Sequence, residues 1–576
     1  MGLPILTRPS FCLALLPLFT VWLTADAQAG SATWKLSPIN GSWNISDNWT
    51  PATVPQGTDT ATFAASNITS VSEALGFGSL GAYQFNAGAS AYTITFYPSV
   101  TFQITGSGVT NDSGVLQTYI VPSSNEFREP IYTVVSMLNN AKAGALTQWT
   151  VRGSAFGAYY NAELLFYNTS SASGASIFVN PGGSGAGGED GDGFGGVLDF
   201  LDSSTAGTAN ITVVGGAAGV EFGSPPYLLF SGTSTAADAI ISGQGGTSDG
   251  AYGGQIQFFN SATAANATIT NEAGTALGAR GSETSFTQTS KAANCVLVAN
   301  SGIGLPGAIY FLESSTGDSA SVKLLGGLLD ISAHDSSGMT LGSLEGNGPV
   351  YLGSRRLTAG RNRASTTFSG LMQDGGSSGG TGGAFAKVGA GSLVLTNANT
   401  YTGDTSVNGG TLTVSNPAGS GTGTGPVQVN AGLLGGKGTI AGPVTVGADT
   451  IDRPHLAPAS GSQTPATLTI QGTLTFQSTG GYNWVLRAKG RRAQSDRVNA
   501  NSVTVVSGAT FSVLPTVQGS LQAGTVFIVI SNTAATPING AFSNLADGAV
   551  LVVGNNNLQA SYHGGDGNDL TLTVIP

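Results

Sequence analysis

Short runs of alternating apolar and polar residues recur along the chain and predict β-strands. Between residues 160 and 330, six copies of one pattern follow each other at spacings of 25 to 34 residues. Each copy has an apolar run with a phenylalanine, a Ser/Thr-rich turn, a small residue nine positions after the phenylalanine, and a second alternating run. The phenylalanines are Phe166, Phe200, Phe230, Phe258, Phe286 and Phe311, and the small residues are Ala175, Ala209, Ala239, Ala267, Cys295 and Ala320.

A unit of this size is too small to bury both of its faces, so it must stack on its neighbours. Parallel stacking gives a β-helix, in which equivalent side chains of successive coils form ladders. A β-propeller is the alternative, but its blades need about 40 residues and four strands each. We therefore predict an all-β fold, a parallel β-helix. Cys295 occupies a ladder position that is Ala in the other five copies, which predicts a buried structural thiol.

The amino-acid composition supports an all-β fold and argues against nucleic acid as a partner. The chain has 87 Gly among 576 residues and 9% charged residues, against about 25% charged residues in typical domains. Gly costs a helix interior about 1 kcal/mol relative to Ala, so long helices are disfavoured, and 40% hydrophobic residues disfavour disorder. The net charge of −11 and the pI near 4.7 argue against nucleic acid as a partner, because phosphates need a clustered basic surface.

Residues 1–29 have the features of a signal peptide. Arg8 provides the positive charge, residues 11–23 form the apolar stretch, and small residues that suit cleavage lie between Ala25 and Ala29. The stretch is short for a membrane span, and no later segment of the sequence approaches one. We predict export to the cell surface, the extracellular space or the periplasm, with no membrane span after signal removal.

One segment carries a specific family resemblance. It comprises residues 387–395 (KVGAGSLVL), residues 399–403 (NTYTG), Thr405, Val407 and residues 409–414 (GGTLTV). Apolar residues alternate at period two, as inward-facing strand positions do; they are Leu393, Leu395, Val407, Leu412 and Val414. The segment resembles the passenger-associated β-strand repeat of bacterial autotransporter proteins. Asp404 stands where that repeat usually has a second Gly.

The resemblance implies a right-handed parallel β-helix that a Gram-negative bacterium secretes or displays on its surface. Residues 43–63 resemble the N-terminal start of such passengers, and residues 435–440, 496–497 and 562–569 resemble their C-terminal part. Autotransporters also carry a C-terminal membrane barrel of strands of about ten residues. We expect this chain to lack that translocator barrel, so its release to the surface would need another protein.

These observations predict five segments. They are a signal peptide at 1–29, an N-terminal β region capping the solenoid at 30–105, a β-helix with six Phe-anchored coils at 106–370, a passenger-associated repeat region at 371–480, and a C-terminal β-rich cap region at 481–576.

Acidic residues offer candidate chemistry at two places. Glu189, Asp190 and Asp192 lie in a Gly-rich loop near Asp199 and Asp202. They fit a solvated protrusion, a weak calcium contact or the carboxylates of a polysaccharide-active enzyme. Asp566 and Asp569 lie in a single near-match to a calcium-binding nonapeptide repeat, which needs consecutive copies. The solvated loop and a plain Gly-Asp turn are the favoured interpretations. We predict no catalytic residue, no cofactor and no firm metal site, with Asp190, Asp192, Asp566 and Asp569 as weak calcium candidates.

Two basic clusters stand out in this acidic chain. The first contains Arg355, Arg356, Arg361 and Arg363, and the second contains Arg487, Lys489, Arg491, Arg492 and Arg497. The candidate contacts are Arg355, Arg356, Arg491 and Arg492. They fit either solvated loops or contacts with an anionic polysaccharide.

Trp34, Trp43 and Trp49 fit either sugar stacking or coverage of the open N-terminal edge of the β-helix, and we favour the second interpretation. His334, His455 and His563 are scattered and predicted to be surface residues.

The sequence as a whole predicts an exported structural or adhesive passenger-like β-helix, not an enzyme. Its predicted partner is a cell-surface or extracellular polysaccharide, and its oligomeric state stays open. The alternative is a secreted polysaccharide lyase or hydrolase, because fold alone does not fix function.

Overall fold

The computed structural model describes residues 30–73, 77–123, 132–154, 161–182, 193–217, 225–335, 338–448, 453–489 and 492–576. They form two compact units. The first consists of the described residues up to Thr263 with Gly274–Ser282 and Ile303–Leu305, and the second of Ala264–Ala273, Glu283–Gly302 and Pro306–Pro576. The predicted signal peptide at 1–29 lies outside the described residues, and the five predicted segments stay a prediction.

The first unit contains strands β1 to β17. In order, they are Ala32–Trp34, Trp49–Thr50, Thr60–Phe63, Ser70–Glu73, Phe77–Phe85, Thr93–Phe96, Thr101–Asn111, Gln117–Val121, Thr133–Met137, Thr147–Val151, Ala162–Phe166, Ser176–Val179, Val197–Phe200, Asn210–Val213, Tyr227–Phe230, Ile240–Gly243 and Gln255–Phe258. From β3 onwards the odd-numbered strands form one parallel sheet. The even-numbered strands from β4 form a second parallel sheet. Each coil thus adds one strand to each sheet, which defines a parallel β-helix.

Equivalent side chains lie directly above one another, as predicted. In the first unit the rings of Phe166, Phe200, Phe230 and Phe258 stack with centroids 4.7, 4.8 and 4.8 Å apart. These spacings match the distance of about 4.8 Å between neighbouring strands. The phenylalanines and the small residues nine positions later are fully buried. The ladder interpretation is therefore confirmed for these coils.

The turn after each Phe strand has a fixed conformation. Positive φ angles recur two and seven residues after the phenylalanine, first at Asn168, Asp202, Gly232, Asn260, Gln288 and Glu313, then at Ser173, Gly207, Ala237, Ala265, Ala293 and Asp318. In the coils of Ser173, Gly207 and Ala237, a hydroxyl two positions earlier accepts a hydrogen bond from the second of these backbone amides, as Thr235 Oγ1 does from Ala237 N at 3.0 Å. The conformation is thus set by the stacked turn and persists even where the residue is alanine.

Three tryptophans close the N-terminal coils of the first unit. Strand β1 pairs antiparallel with β2 and parallel with β3. Trp34, Trp43 and Trp49 are at most 1% exposed, and each indole N–H donates to a backbone carbonyl. The rings of Trp34 and Trp49 meet edge to face at 5.0 Å. These side chains belong to the core, so the alternative of stacking on sugars is wrong for them.

The second unit contains strands β18 to β47. In order, they are Thr268–Asn271, Glu283–Phe286, Val296–Asn300, Ala308–Phe311, Ser321–Leu325, Leu328–Asp330, Gly338–Leu341, Ser343–Gly346, Val350–Tyr351, Arg356–Ala359, Thr366–Phe368, Met372–Gln373, Ala384–Lys387, Ser392–Leu395, Thr405–Val414, Val427–Gly436, Thr439–Ile440, Val444–Val446, His455–Ala457, Thr467–Ile470, Leu474–Phe476, Gly481–Lys489, Arg492–Ser495, Arg497–Ala500, Val503–Val505, Thr510–Gln518, Val526–Asn532, Val550–Val553, Asn556–Gly564 and Asp569–Ile575.

Parallel pairing also dominates the second unit. Strand β19 pairs with β21, and the rings of Phe286 and Phe311 stack at 4.9 Å. Strands β27, β30, β32, β33, β35, β38 and β42 continue one parallel series. At the C-terminal end the order β44-β47-β46-β45 is antiparallel, which gives the predicted C-terminal β-rich region.

The described residues contain no α-helix and one 3₁₀ turn, Ser46–Asn48. Among them, no helix is long and apolar enough to cross a membrane. The prediction of an all-β parallel β-helix is confirmed.

Replacing Ala237 with glycine should stabilise the protein. A left-handed conformation costs a residue with a Cβ about 1 kcal/mol, and part of the gain is offset by the greater unfolded-state entropy of glycine. We expect the free energy of unfolding to rise by about 0.5 kcal/mol, measured by urea denaturation.

The matched control is Ala239→Gly in the same turn. Ala239 is fully buried and is not among the residues with positive φ. This change should lower the free energy of unfolding by about 1 kcal/mol. A loss of stability in both variants would contradict the account of the turn.

Candidate functional site

The segment with the family resemblance spans β30, β31 and β32. The inward-facing residues predicted from the alternation are all buried: Leu393, Leu395, Val407, Leu412 and Val414. Strand β31 pairs in parallel with the second half of β32. Gly389 joins β30 to β31 with a φ of +69°, and a Cβ there would collide with the carbonyl oxygen of Gly360 in the neighbouring coil. Glycine is therefore required at that corner.

The turn between β31 and β32 ties three successive coils together. The side chain of Asn399 accepts a hydrogen bond from the backbone amide of Met372 at 2.8 Å and donates to the carbonyl of Gly421 at 2.6 Å. Tyr401 is fully buried, and its hydroxyl is 2.6 Å from the hydroxyl of Thr405. Asn399 therefore joins neighbouring coils, and the Tyr401 hydroxyl is used inside the turn.

Lys387 places a cation inside the coil. Lys387 is only 1% exposed to solvent. The ammonium donates to the carbonyl oxygens of Val388, Gly389 and Gly409 at 2.6, 3.1 and 3.2 Å. Burial lowers its pKa from 10.5 to about 8, because water no longer solvates the charge. The cation thus holds the glycine turns of two successive coils together.

Asp404, the departure from the usual repeat, has a partner. Its carboxylate accepts two hydrogen bonds from the guanidinium of Arg356, at 2.7 and 2.9 Å. Ala384 lies opposite Arg356 in the intervening strand, and its small side chain leaves room for the arginine to pass. Both partners are more than a third exposed, so water weakens their attraction. Arg356, one of the arginines of the first predicted basic cluster, is therefore held in an ion pair.

The other predicted basic residues are differently placed. The Nε atom of Arg355 is buried and has no hydrogen-bond partner among the described residues. Arg491 and the side chain of Arg492 lie outside what the structure describes. Contact of these arginines with an anionic polysaccharide stays a prediction.

The calcium candidates are not brought together into a site. Asp190 and Asp192 lie outside the described residues. Asp566 is exposed, whereas Asp569 is 5% exposed and accepts a hydrogen bond from the backbone amide of Asn532 at 2.9 Å. Burial raises the pKa of Asp569. Within the described ranges, no group of three His, Cys, Asp or Glu side chains is arranged to hold a metal.

One outward-facing groove is relevant to the alternative that the chain is a polysaccharide lyase or hydrolase. It has a volume of about 570 Å³ and lies beside β25, β28 and β31. Glu345 is the charged residue of its lining, and its carboxylate is 3.0 Å from the ammonium of Lys323. Glycoside hydrolysis commonly needs two carboxylates, whereas the lining of this groove contains a single carboxylate, that of Glu345.

Cys295 is fully buried, as its ladder position predicts. Burial raises the pKa of its thiol, so the reactive thiolate is disfavoured. His334, by contrast, is 3% exposed, and its Nε2 atom is 2.8 Å from the carbonyl oxygen of Ser315. The prediction of a surface position for His334 is wrong, because this polar contact with the neighbouring coil allows the ring to be buried.

Comparison with known families identifies the segment described above. A model described as Passenger-associated-transport-repeat matches residues 385–414. Residues 385–414 are thus the part of the chain that is similar to this repeat. The resemblance seen in the sequence is thereby confirmed, and Lys387, Asn399 and Asp404 all belong to this repeat.

No curated protein sequence matches the chain. Among solved structures, it is similar to the crystal structure of the Haemophilus influenzae Hap adhesin, with 10% sequence identity and a TM-score of 0.30. The alignment covers 92% of this chain and 64% of the Hap chain. The β-helix assignment rests on the strand pairing of this chain itself.

Three buried ionisable groups have no signal in the sequence. Besides Lys387 in the repeat, Glu73 is 2% exposed, and burial raises its pKa well above the usual value. Asp496 is fully buried, and burial raises its pKa to about 6 even though its carboxylate accepts backbone hydrogen bonds from Ala466 and Val485. Asp496 is bonded to backbone groups of distant segments, whereas neither carboxylate oxygen of Glu73 has a hydrogen-bond partner among the described residues. No local sequence pattern therefore indicates that these two carboxylates are buried.

The buried Lys387 should make stability depend on pH. Its pKa is about 8 in the folded chain and 10.5 ordinarily, so the unfolded chain binds more protons between these values. Burying the charged ammonium lowers the free energy of unfolding. This cost is fully present below pH 8 and disappears as the pH rises to 10.5. We expect a relative gain of about 3 kcal/mol over that range, measured as wild type minus Lys387→Met in urea denaturation.

Comparison between variants removes the contribution of the ionisable groups that both variants share. Lys437 is exposed, so Lys437→Met serves as the control and should keep the pH dependence of the wild type. Identical pH profiles for wild type and Lys387→Met would refute the assignment.

The ion pair of Arg356 and Asp404 should contribute little to stability. A double-mutant cycle with Arg356→Ala and Asp404→Ala should give a coupling energy of about 0.5 kcal/mol. The coupling should shrink at about 1 M salt, where screening is strong. A coupling that is absent, or that salt leaves unchanged, would contradict this description.

Proposed function

We propose that the chain is an exported, non-enzymatic β-helix protein that serves as a structural or adhesive passenger-like element at or beyond the bacterial cell surface. The observation that carries the proposal is the passenger-associated transport repeat at 385–414, whose motif residues are built into a parallel stack of coils. The similar solved structure is named as an adhesin.

The distribution of polar chemistry supports a non-enzymatic role. Lys387 and Asp496 are buried against backbone groups. Arg356 and Asp404 are paired with each other. A catalytic site needs acid, base or nucleophile side chains converging on a place that substrate can reach. The ionisable groups named here instead join segments of the chain.

Partner recognition would then fall to the outer surface of the coils. An extracellular polysaccharide is the partner class that we propose, with Arg355, Arg491 and Arg492 as contacts for an anionic chain. Ionic contacts of this kind weaken as salt is added.

Surface exposure tests the proposal. We expect the wild-type protein in its native bacterium to be degraded by protease added to intact cells, or to be recovered from the medium. A Leu15→Arg, Leu16→Arg variant should stay inside the cell, because two charges interrupt the apolar stretch that export requires. Quantitative immunoblots of the cell fractions measure both outcomes.

The matched control is Leu15→Val, Leu16→Val, which keeps the stretch apolar and should be exported like the wild type. Recovery of the wild-type chain in the cytoplasmic fraction alone would rule out the proposed location.

A further inference from the structure

One outer face of the first unit carries two uninterrupted ladders of uncharged side chains, which we call the hydroxyl-amide face. It is formed by the seven even-numbered strands β4 to β16, whose pairings contain no register shift. The first ladder is Ser70, Thr93, Thr118, Gln148, Ser176, Asn210 and Ile240, and the second is Ser72, Thr95, Ile120, Thr150, Phe178, Thr212 and Ser242.

The two ladders point outward. The residue between them on each strand is at most 1% exposed; these residues are Val71, Ile94, Tyr119, Trp149, Ile177, Ile211 and Ile241. Since successive side chains of a strand point to opposite sides, the flanking residues face solvent. Their exposure is intermediate or high in every case.

The polar side chains of this face are free to bind. Among the described residues, the eleven polar members of the two ladders make no side-chain hydrogen bond. The other sheet of the same unit differs, because there the Tyr227 hydroxyl donates to Gln257 at 2.7 Å and Gln257 contacts Gln255 at 3.3 Å. The hydroxyl-amide face therefore keeps its donors and acceptors for water or for a ligand.

The centre of the face combines hydrogen-bonding amides with an aromatic ring. Gln148, Ser176 and Asn210 follow each other along the first ladder, and Phe178 lies beside them on the second. Each amide offers two donors and an acceptor. Successive positions along a ladder are about 4.8 Å apart, and the two ladders are about 7 Å apart. The result is a flat, narrow, regular array.

This array fits a neutral ligand better than a protein or an anionic polymer. No position of either ladder is Asp, Glu, Lys, Arg or His, so the face offers nothing to attract a charged chain. Seven strands and two ladders give an area of about 300 Å², whereas a stable protein interface buries about 800 Å² per partner. The face also lacks the Trp, Tyr and Arg side chains that dominate protein interfaces.

We propose that the hydroxyl-amide face binds a neutral β-1,4-linked polysaccharide whose flat, extended chain lies along the ladders. Its hydroxyl groups would exchange hydrogen bonds with Gln148, Ser176 and Asn210, and the C–H face of one sugar would contact Phe178. This inference deepens the proposed adhesive role and rests on it for its biological setting.

Depletion of the purified full-length chain from solution by microcrystalline cellulose and by chitin beads tests the inference. We expect wild-type binding to at least one of these matrices, with no loss at about 0.5 M salt, because no charges take part. Gln148→Glu with Asn210→Asp keeps side-chain shape but introduces two charges, and it should weaken binding at least tenfold. Phe178→Thr, which places a residue type already present on the ladder, should also weaken binding and serves if the double variant does not fold.

The matched control is Gln103→Glu with Asn86→Asp, which makes the same chemical change at exposed positions of the first unit outside the face. It should bind like the wild type. Three results would overturn the inference: no wild-type binding to either matrix, equal loss of binding in the control, or concentration-dependent self-association that the face variant abolishes. Failure of binding while the protein still reaches the cell surface defeats this inference alone, whereas cytoplasmic retention defeats the proposed function.

Discussion

In-register parallel stacking of coils is the constraint on which the rest of this structure depends. The phenylalanine rings of successive coils lie 4.7 to 4.9 Å apart, close to the spacing of the strands themselves. Each position must therefore be compatible with the same position one coil away. Aromatic and aliphatic residues gain from such neighbours, whereas like charges directly opposite each other are destabilising. The low charge content of the chain follows from this constraint.

Stacking also explains where the exceptional residues lie. An open end of a sheet exposes unpaired backbone groups and invites aggregation, and the buried tryptophans around β1 and β2 cover that end in the first unit. In the second unit, the passenger-associated transport repeat uses Lys387 and Asn399 to satisfy backbone groups at corners. Charge is tolerated where backbone carbonyls or a partner such as Asp404 compensate it.

The sequence predicts the repeated part of this fold well, because stacking puts the same residue type at the same phase in each coil. The Phe ladder, the buried Cys295 and the inward residues of the repeat all follow from that regularity. Contacts that do not repeat from coil to coil cannot be predicted in this way. Arg356 and Asp404 are 48 residues apart, and the acceptors of Lys387 are carbonyl groups, which have no side-chain signature. The left-handed conformation of Ala237 is likewise invisible in sequence, because alanine is not a residue that favours it.

Inward-facing and outward-facing positions of the coils are under different constraints. Inward positions are fixed by their neighbours, while outward positions such as the hydroxyl-amide face can vary without disturbing the coil.

The most direct test of in-register stacking is the magnetic interaction between nitroxide labels on cysteine pairs in a background that carries Cys12→Ala and Cys295→Ala. Labels at Thr212→Cys and Ser242→Cys, one coil apart, should show strong dipolar broadening, and labels at Thr150→Cys and Ser242→Cys, about 14 Å apart, should show much less. Equal broadening in the two pairs would contradict the stacked-coil structure.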